Sequence, residues 1–208
     1  MNLKKLKAAE KLFLSKYKGG FEDPSFQEIA KKHNMDKLVK FAQESFSKKA
    51  FDNVDSIAEN LTKMVSRSTM VSLFEKPKFR DFIKDLPEEQ KIEFINGFKN
   101  FLHGTQKKGF EQILKILESV KLAKWSLITV VPAYFKPKDE VFIKPTTAKD
   151  VIRVFELKNL EYKPRPSWEF YQEYRRQITE MKAKVHESLK PSNAAFSGFL
   201  MMTMPDLD

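Results

Sequence analysis

The sequence predicts a mostly α fold, a single multi-helical domain of about eight to ten helices of ordinary length. Three observations carry that prediction. Apolar residues recur at helical spacing along most of the chain. Prolines and Asp, Asn, Ser or Thr residues stand where those stretches begin, as helix-start signals should. Only two short runs have the β-branched, apolar character of strands. The 208 residues contain no cysteine and only 6 glycines. This excludes disulfide frameworks, thiolate metal sites and cysteine nucleophiles, and leaves little material for phosphate-cradling loops.

The elements follow in order. Leu3, Leu6, Leu12, Phe13 and Tyr17 form the first stripe, which Gly19-Gly20 ends. Asp23-Pro24 starts a second helix, with Phe26, Ile29 and Ala30 facing inward and Phe21 stapling the corner. A third runs from Asp36 with Leu38, Val39, Phe41 and Phe46. Asp52 or Asn53 caps a fourth, whose Val54, Ile57, Leu61, Met64 and Val65 give a clean amphipathic pattern. Pro77 and Pro87 each open a further helix, the second burying Ile92, Ile95, Phe98 and Leu102 before Gly104. Thr105 caps the next, with Phe110, Ile113, Leu114, Ile116, Leu117 and Val120, so these two form a helical hairpin.

Residues 127–131 (Leu-Ile-Thr-Val-Val) fit a strand or a buried helix kinked at Pro132, and the helix is preferred because strand partners are scarce. The other β-like run, Glu140-Val141-Phe142-Ile143, forms at most one short β-hairpin with Leu160-Glu161-Tyr162, near 140–162. The proline-bounded stretch 132–145 marks a subdomain edge at most. Thr146 or Thr147 caps a short helix with Val151, Ile152, Val154 and Phe155, and Ser167 opens a last long helix running to Pro191. The tail from Phe196 to Met204 is apolar enough to require docking, on the body or on a partner.

The formal charge is +10. Residues 1–104 hold 20 basic and 15 acidic residues and residues 105–208 hold 18 and 13, so each half carries +5 and no basic tail exists. An even positive field raises affinity for polyanions without naming one. No run of apolar residues is long enough to span a membrane. The first residues are basic but lack the apolar core of a signal peptide, so a cytoplasmic location is expected.

Catalytic signals are thin. His33, His103 and His186 are isolated, with His33 and His103 near helix C-termini where the dipole favours them. No metal site and no cofactor are expected. The acidic pairs Asp81/Asp85 and Glu89/Glu93 read as solvated surface. In Ser66-Arg67-Ser68-Thr69, Ser68 or Thr69 serves as a helix cap, or Arg67 pairs with Glu75. The densest mixture of rings and cations lies in 134–176. There Lys144, Lys163, Arg165, Trp168, Arg175 and Arg176 are the candidate nucleic-acid-binding residues, suited to base stacking and phosphate contact. Arg175 and Arg176 point about 100° apart on a helix and do not easily share one groove.

Tyr17-Lys18-Gly19-Gly20-Phe21-Glu22-Asp23-Pro24 resembles the opening signature of a family of uncharacterised bacterial helical proteins. Leu73-Phe74-Glu75-Lys76, Lys124-Trp125, Phe142-Ile143-Lys144-Pro145-Thr146, Tyr162-x-Pro164-x-Pro166-x-Trp168 and Phe196-x-x-Phe199 follow in the order of that family. The chain departs from the pattern at Leu200-Met201, where a tryptophan is expected, and at Glu140-Val141, where a histidine is usual. The resemblance brings no activity, cofactor or catalytic residue with it. The leading functional expectation is a non-catalytic macromolecule-binding protein with a basic surface, its partner a nucleic acid or an acidic protein surface. The alternatives are an enzyme with a carboxylate/Lys/Arg site, and a homo-oligomer joined through Phe196–Met204.

Overall fold

Asn2 begins the fold by accepting the backbone N–H of Lys5, which caps α1 (Leu3–Lys16). The computed structural model describes residues 1–31 and 33–207, without the side chains of Ile29 and Ala30, so their expected inward orientation lies outside the described residues. α1 buries Leu6, Ala9 and Phe13, whereas Leu3 and Leu12 are exposed; the inward stripe is offset from the one read in the sequence. Asp23 opens α2 (Pro24–Lys31) as expected, its carboxylate accepting the Ser25 N–H. Between them Gly20 has φ of 62°, and a Cβ there would fall 2.3 Å from the Ser188 hydroxyl oxygen. Glycine thus lets this corner press against residues 187–189. Phe21 packs between Phe13 and Phe26, as a staple should.

α3 (Met35–Ser45) and α4 (Val54–Arg67) follow, the latter capped by Asn53 through the Ser56 N–H. α5 (Glu75–Asp85) carries Pro77 in its first turn. α6 (Glu88–His103) and α7 (Gln106–Ser119) form the expected antiparallel hairpin. The buried face of α6 holds Phe94, Ile95, Phe98, Phe101 and Leu102; Ile92 and, at the end of α7, Val120 are instead exposed. Gly97 and Gly109 lie where the two helices touch. A Cβ on Gly109 would be 2.2 Å from the Phe101 nitrogen and 2.5 Å from the Gly97 carbonyl oxygen, so α7 rests on the backbone of α6. α7 ends without glycine: Lys121 takes φ of 59° and the Leu122 N–H reaches the Leu117 carbonyl, a Schellman closure.

Residues 127–131 are helical, within α8 (Trp125–Phe135). Every residue of α8 but the last is buried, and it packs against α3, α4, α6 and α7. A helix apolar on all sides is a core helix, which removes the strand reading. α9 (Pro145–Val154) starts at Pro145 with Lys144 as its N-cap residue, two or three positions before the threonines expected to cap it. Ser167 caps α10 (Trp168–Lys182) through the Phe170 N–H. α10 stops at Lys182 rather than near Pro191, and α11 (Asn193–Thr203) follows a 3-10 turn at Glu187–Leu189.

No strand occurs among the described residues, so the hairpin near 140–162 does not form. Its backbone groups have other partners. The Ile143 N–H donates to the Thr129 hydroxyl on α8, and the Glu140 carbonyl accepts from the Asn193 side chain. Val141 and Ile143 are buried by helices, which explains their strand-like composition. Buried residues from α1 to the final 3-10 turn belong to one continuous core, with members on both sides of 132–145. The tail joins it: Phe196, Phe199 and Leu200 are fully buried, and Phe199 meets the Phe13 ring of α1 edge-on at 5.5 Å.

Candidate functional site

The aromatic and cationic region of 134–176 converges on one buried carboxylate. Glu140, whose side chain is 4% exposed, accepts from both the Arg175 guanidinium at 2.7 Å and the Tyr171 hydroxyl at 2.6 Å. The Gln106 amide at the start of α7 donates to its other oxygen at 2.6 Å. Asn193, at the start of α11, donates its side-chain amide to the Glu140 carbonyl and its backbone N–H to the Pro137 carbonyl. Lys182 donates to the Asn193 side-chain oxygen and to the Lys138 carbonyl. Arg175 also lies over the rings of Trp168 and Tyr171, at 5.9 and 5.4 Å from their centroids. The carboxylate therefore ties α7 and α10 to the 136–144 segment, and the Glu140 carbonyl adds α11. A buried ion pair with all its hydrogen bonds made is costly to break, about 3–5 kcal/mol, because removal of one partner strands the other.

The electrostatics match this closed arrangement. Burial, and next the charge of Glu140, push the Tyr171 hydroxyl well above its ordinary range. Burial alone pushes Tyr174 up. Desolvation lowers Lys182. On the outer face of α10, Arg176 hydrogen-bonds Glu173 and holds that carboxyl down to about 2. Arg176 also pairs with Glu180.

The six candidate binding residues are thus divided. Arg175 points inward and Arg176 outward, as their angular separation implies. Arg165 makes a two-pronged pair with Glu118. Lys163 lies 3.9 Å from Glu161, and its carbonyl accepts the Trp125 indole N–H. Trp168 is half-buried against Phe101, Phe110 and Tyr171. Lys144 is exposed and heads α9. The three arginines are matched by carboxylates of the chain, and no single groove gathers all six. Sequence reading missed Glu140, Gln106 and Asn193. The signal available was one acid abutting an apolar run, which marks a buried carboxylate in need of a cation.

An open cleft of about 450 Å³ lies between α5, the start of α6 and the end of α7, bordered by Lys78, Asp81, Phe82, Asp85 and Val120. Asp81 is paired there with Arg80, and Glu93 with Lys115, in keeping with solvated surface charge. No cluster of His, Asp or Glu suited to a metal ion occurs among the described residues.

The Ser66–Thr69 cluster takes neither of its expected forms in full. Ser68 closes α4 as its C-terminal cap residue, and its hydroxyl meets the Tyr134 hydroxyl at 3.1 Å. Arg67 lies over the Phe41 ring, and Glu75 accepts from Ser126 on α8 rather than from Arg67. The chain then presents Leu73 and Phe74 to solvent, 78% and 82% exposed. Their turn is ordered by the Ser72 hydroxyl, which accepts from the Phe74 N–H, and by the Ser72 carbonyl, which accepts from Glu75 and Lys76.

No family model matches the chain, and neither does any curated protein or solved structure. No described helix is long and apolar enough to cross a membrane.

Proposed function

We propose that this chain is a non-catalytic helical protein, of the cytoplasm and of the bacterial family its motifs resemble, that binds a polyanionic macromolecular partner through its lysine-rich surface. The observation that supports this is the distribution of paired and unpaired cations. The arginines of the aromatic region are matched by the chain's own carboxylates, whereas Lys78, Lys108, Lys121, Lys124 and Lys144 are exposed with no carboxylate partner among the described residues. Such lysines suit contact with phosphates or carboxylates of a partner without reading its sequence. A homo-oligomer through Phe196–Met204 has less support, since of that segment's large apolar residues only Met201 is exposed, at 47%.

Titration of a labelled single-stranded oligonucleotide and of polyglutamate, over a range of salt, tests the reading. Dissociation constants of about 10⁻⁴–10⁻⁶ M that weaken as salt rises are expected. Absence of binding to either polymer at low salt refutes it. Preference for polyglutamate identifies an acidic protein surface as the partner.

A further inference from the structure

We propose that the Leu73–Phe74 turn is a docking tip for the surface of an anionic lipid bilayer. Among the described residues it is the place where two adjacent large apolar side chains are both more than three-quarters exposed. Such exposure in an ordered turn needs a reason, because burial of either side chain in the core would stabilise the fold. The turn is not loose: Val71 beside it is buried, Met70 packs on the core, and Ser72 fixes the backbone.

Three lysines stand behind the tip. Lys76 and Lys78 belong to the first turns of α5, directly after Phe74. The Ser126–Glu75 hydrogen bond brings the start of α8, and with it Lys124, beside the start of α5. None of the three has a carboxylate partner among the described residues. The nearby acids are engaged, Glu75 by Ser126 and Asp81 by Arg80. Asp85 lies about 15 Å further along the helix axis.

The lysines decide the class of partner. Protein interfaces are depleted in lysine around an apolar centre. A nucleic-acid backbone offers nothing to Leu73. An anionic membrane surface uses both parts: apolar side chains enter the headgroup boundary, and each lysine near the surface is worth about a fivefold change in partitioning. The tip projects from a turn, which suits a planar surface better than a pocket. The proposal rests on the binding reading above only in needing these lysines free.

Co-sedimentation with vesicles tests it, using an equal mixture of phosphatidylcholine and phosphatidylglycerol against phosphatidylcholine alone. The intact protein should sediment with the mixed vesicles, less so as salt rises. The Leu73→Ser/Phe74→Ser variant should bind at least tenfold more weakly with unchanged melting, since both side chains already face water. The Lys78→Gln/Lys124→Gln variant should bind about 25-fold more weakly. In a Phe74→Trp variant, the added indole emission should shift to the blue with mixed vesicles. Undiminished binding of the double-serine variant, or an unshifted indole emission, overturns the docking tip. Binding to the oligonucleotide or to polyglutamate but not to vesicles overturns it while leaving the polyanion reading intact; binding to none of the three removes both.

Discussion

Replacing Gly109 by alanine should destabilise the protein, against the ordinary rule for helices. Within a helix, Gly→Ala normally gains up to about 1 kcal/mol, because alanine restricts the unfolded chain. At Gly109 the new methyl group would sit 2.2 Å from the Phe101 nitrogen, 2.5 Å from the Gly97 oxygen and 2.8 Å from the Asn100 carbonyl carbon. All three are backbone atoms of α6, which cannot rotate away as a side-chain end can. Ordinary contact requires the helices to separate by about 1 Å, and a gap of that size forfeits a quarter to a half of the dispersion attraction across it. Overpacking costs about 1–3 kcal/mol, and rigid obstacles place this site at the upper end. After the helix gain is subtracted, the net loss is about 2 kcal/mol, or roughly 4–8 °C in melting temperature for a chain of this size. Gly198 in α11 is the control, since a methyl group there meets nothing within 4 Å. Gly198→Ala should therefore gain about 0.5–1 kcal/mol. Thermal and urea unfolding followed by circular dichroism should give opposite signs for the two variants. A Gly109→Ala protein as stable as the parent would refute the close crossing of α6 and α7.

Glu140→Gln should cost about 3 kcal/mol by stranding Arg175, and adding Arg175→Met should restore part of the melting temperature; equal losses in the single and double variants would dismiss the pair as the cause. Glu173, held near 2 against an ordinary 4.5, should stabilise the fold above about pH 4.5 and lose that contribution as pH falls toward 2. Being at the surface, it is worth at most about 1 kcal/mol, so Glu173→Gln should lower melting slightly at neutral pH and not at all near pH 2. Lys121→Gly should raise stability by about 1 kcal/mol, measured by urea midpoint, because glycine adopts the positive φ without a Cβ penalty.

The helical class and most helix starts were readable because start signals are chemical. Asp23, Asn53 and Ser167 accept N–H groups of the turn they open, and residue type alone announces that capacity. Some ends were hidden because the chain closes α7 and α9 with Lys121 and Glu156 in the left-handed region, where glycine would have marked the stop. Val141 and Ile143 misled because burial, not strand pairing, accounts for their β-branched character. The aromatic–cation region was found, but its direction was not. Arg175 faces a carboxylate 35 residues away, and local spacing holds no information on such a pairing. The exposure of Leu73 and Phe74 was likewise invisible, since their sequence resembles any short apolar step before a helix.

The meeting of α1 with α11 bears on how the chain is made. Glu10 receives the N–H of His186, 176 positions downstream, and Phe13 waits for Phe199. Translation at about 5–20 residues per second separates the birth of those partners by on the order of ten seconds or more. Throughout that interval the apolar side of α1, with Leu6, Ala9 and Phe13, emerges without its final cover. Neighbouring pairs such as α6 and α7 need no such wait. Closure of the first helix on the last is therefore a late event in biogenesis, and a nascent chain stalled before Phe199 would offer that uncovered side to chaperones.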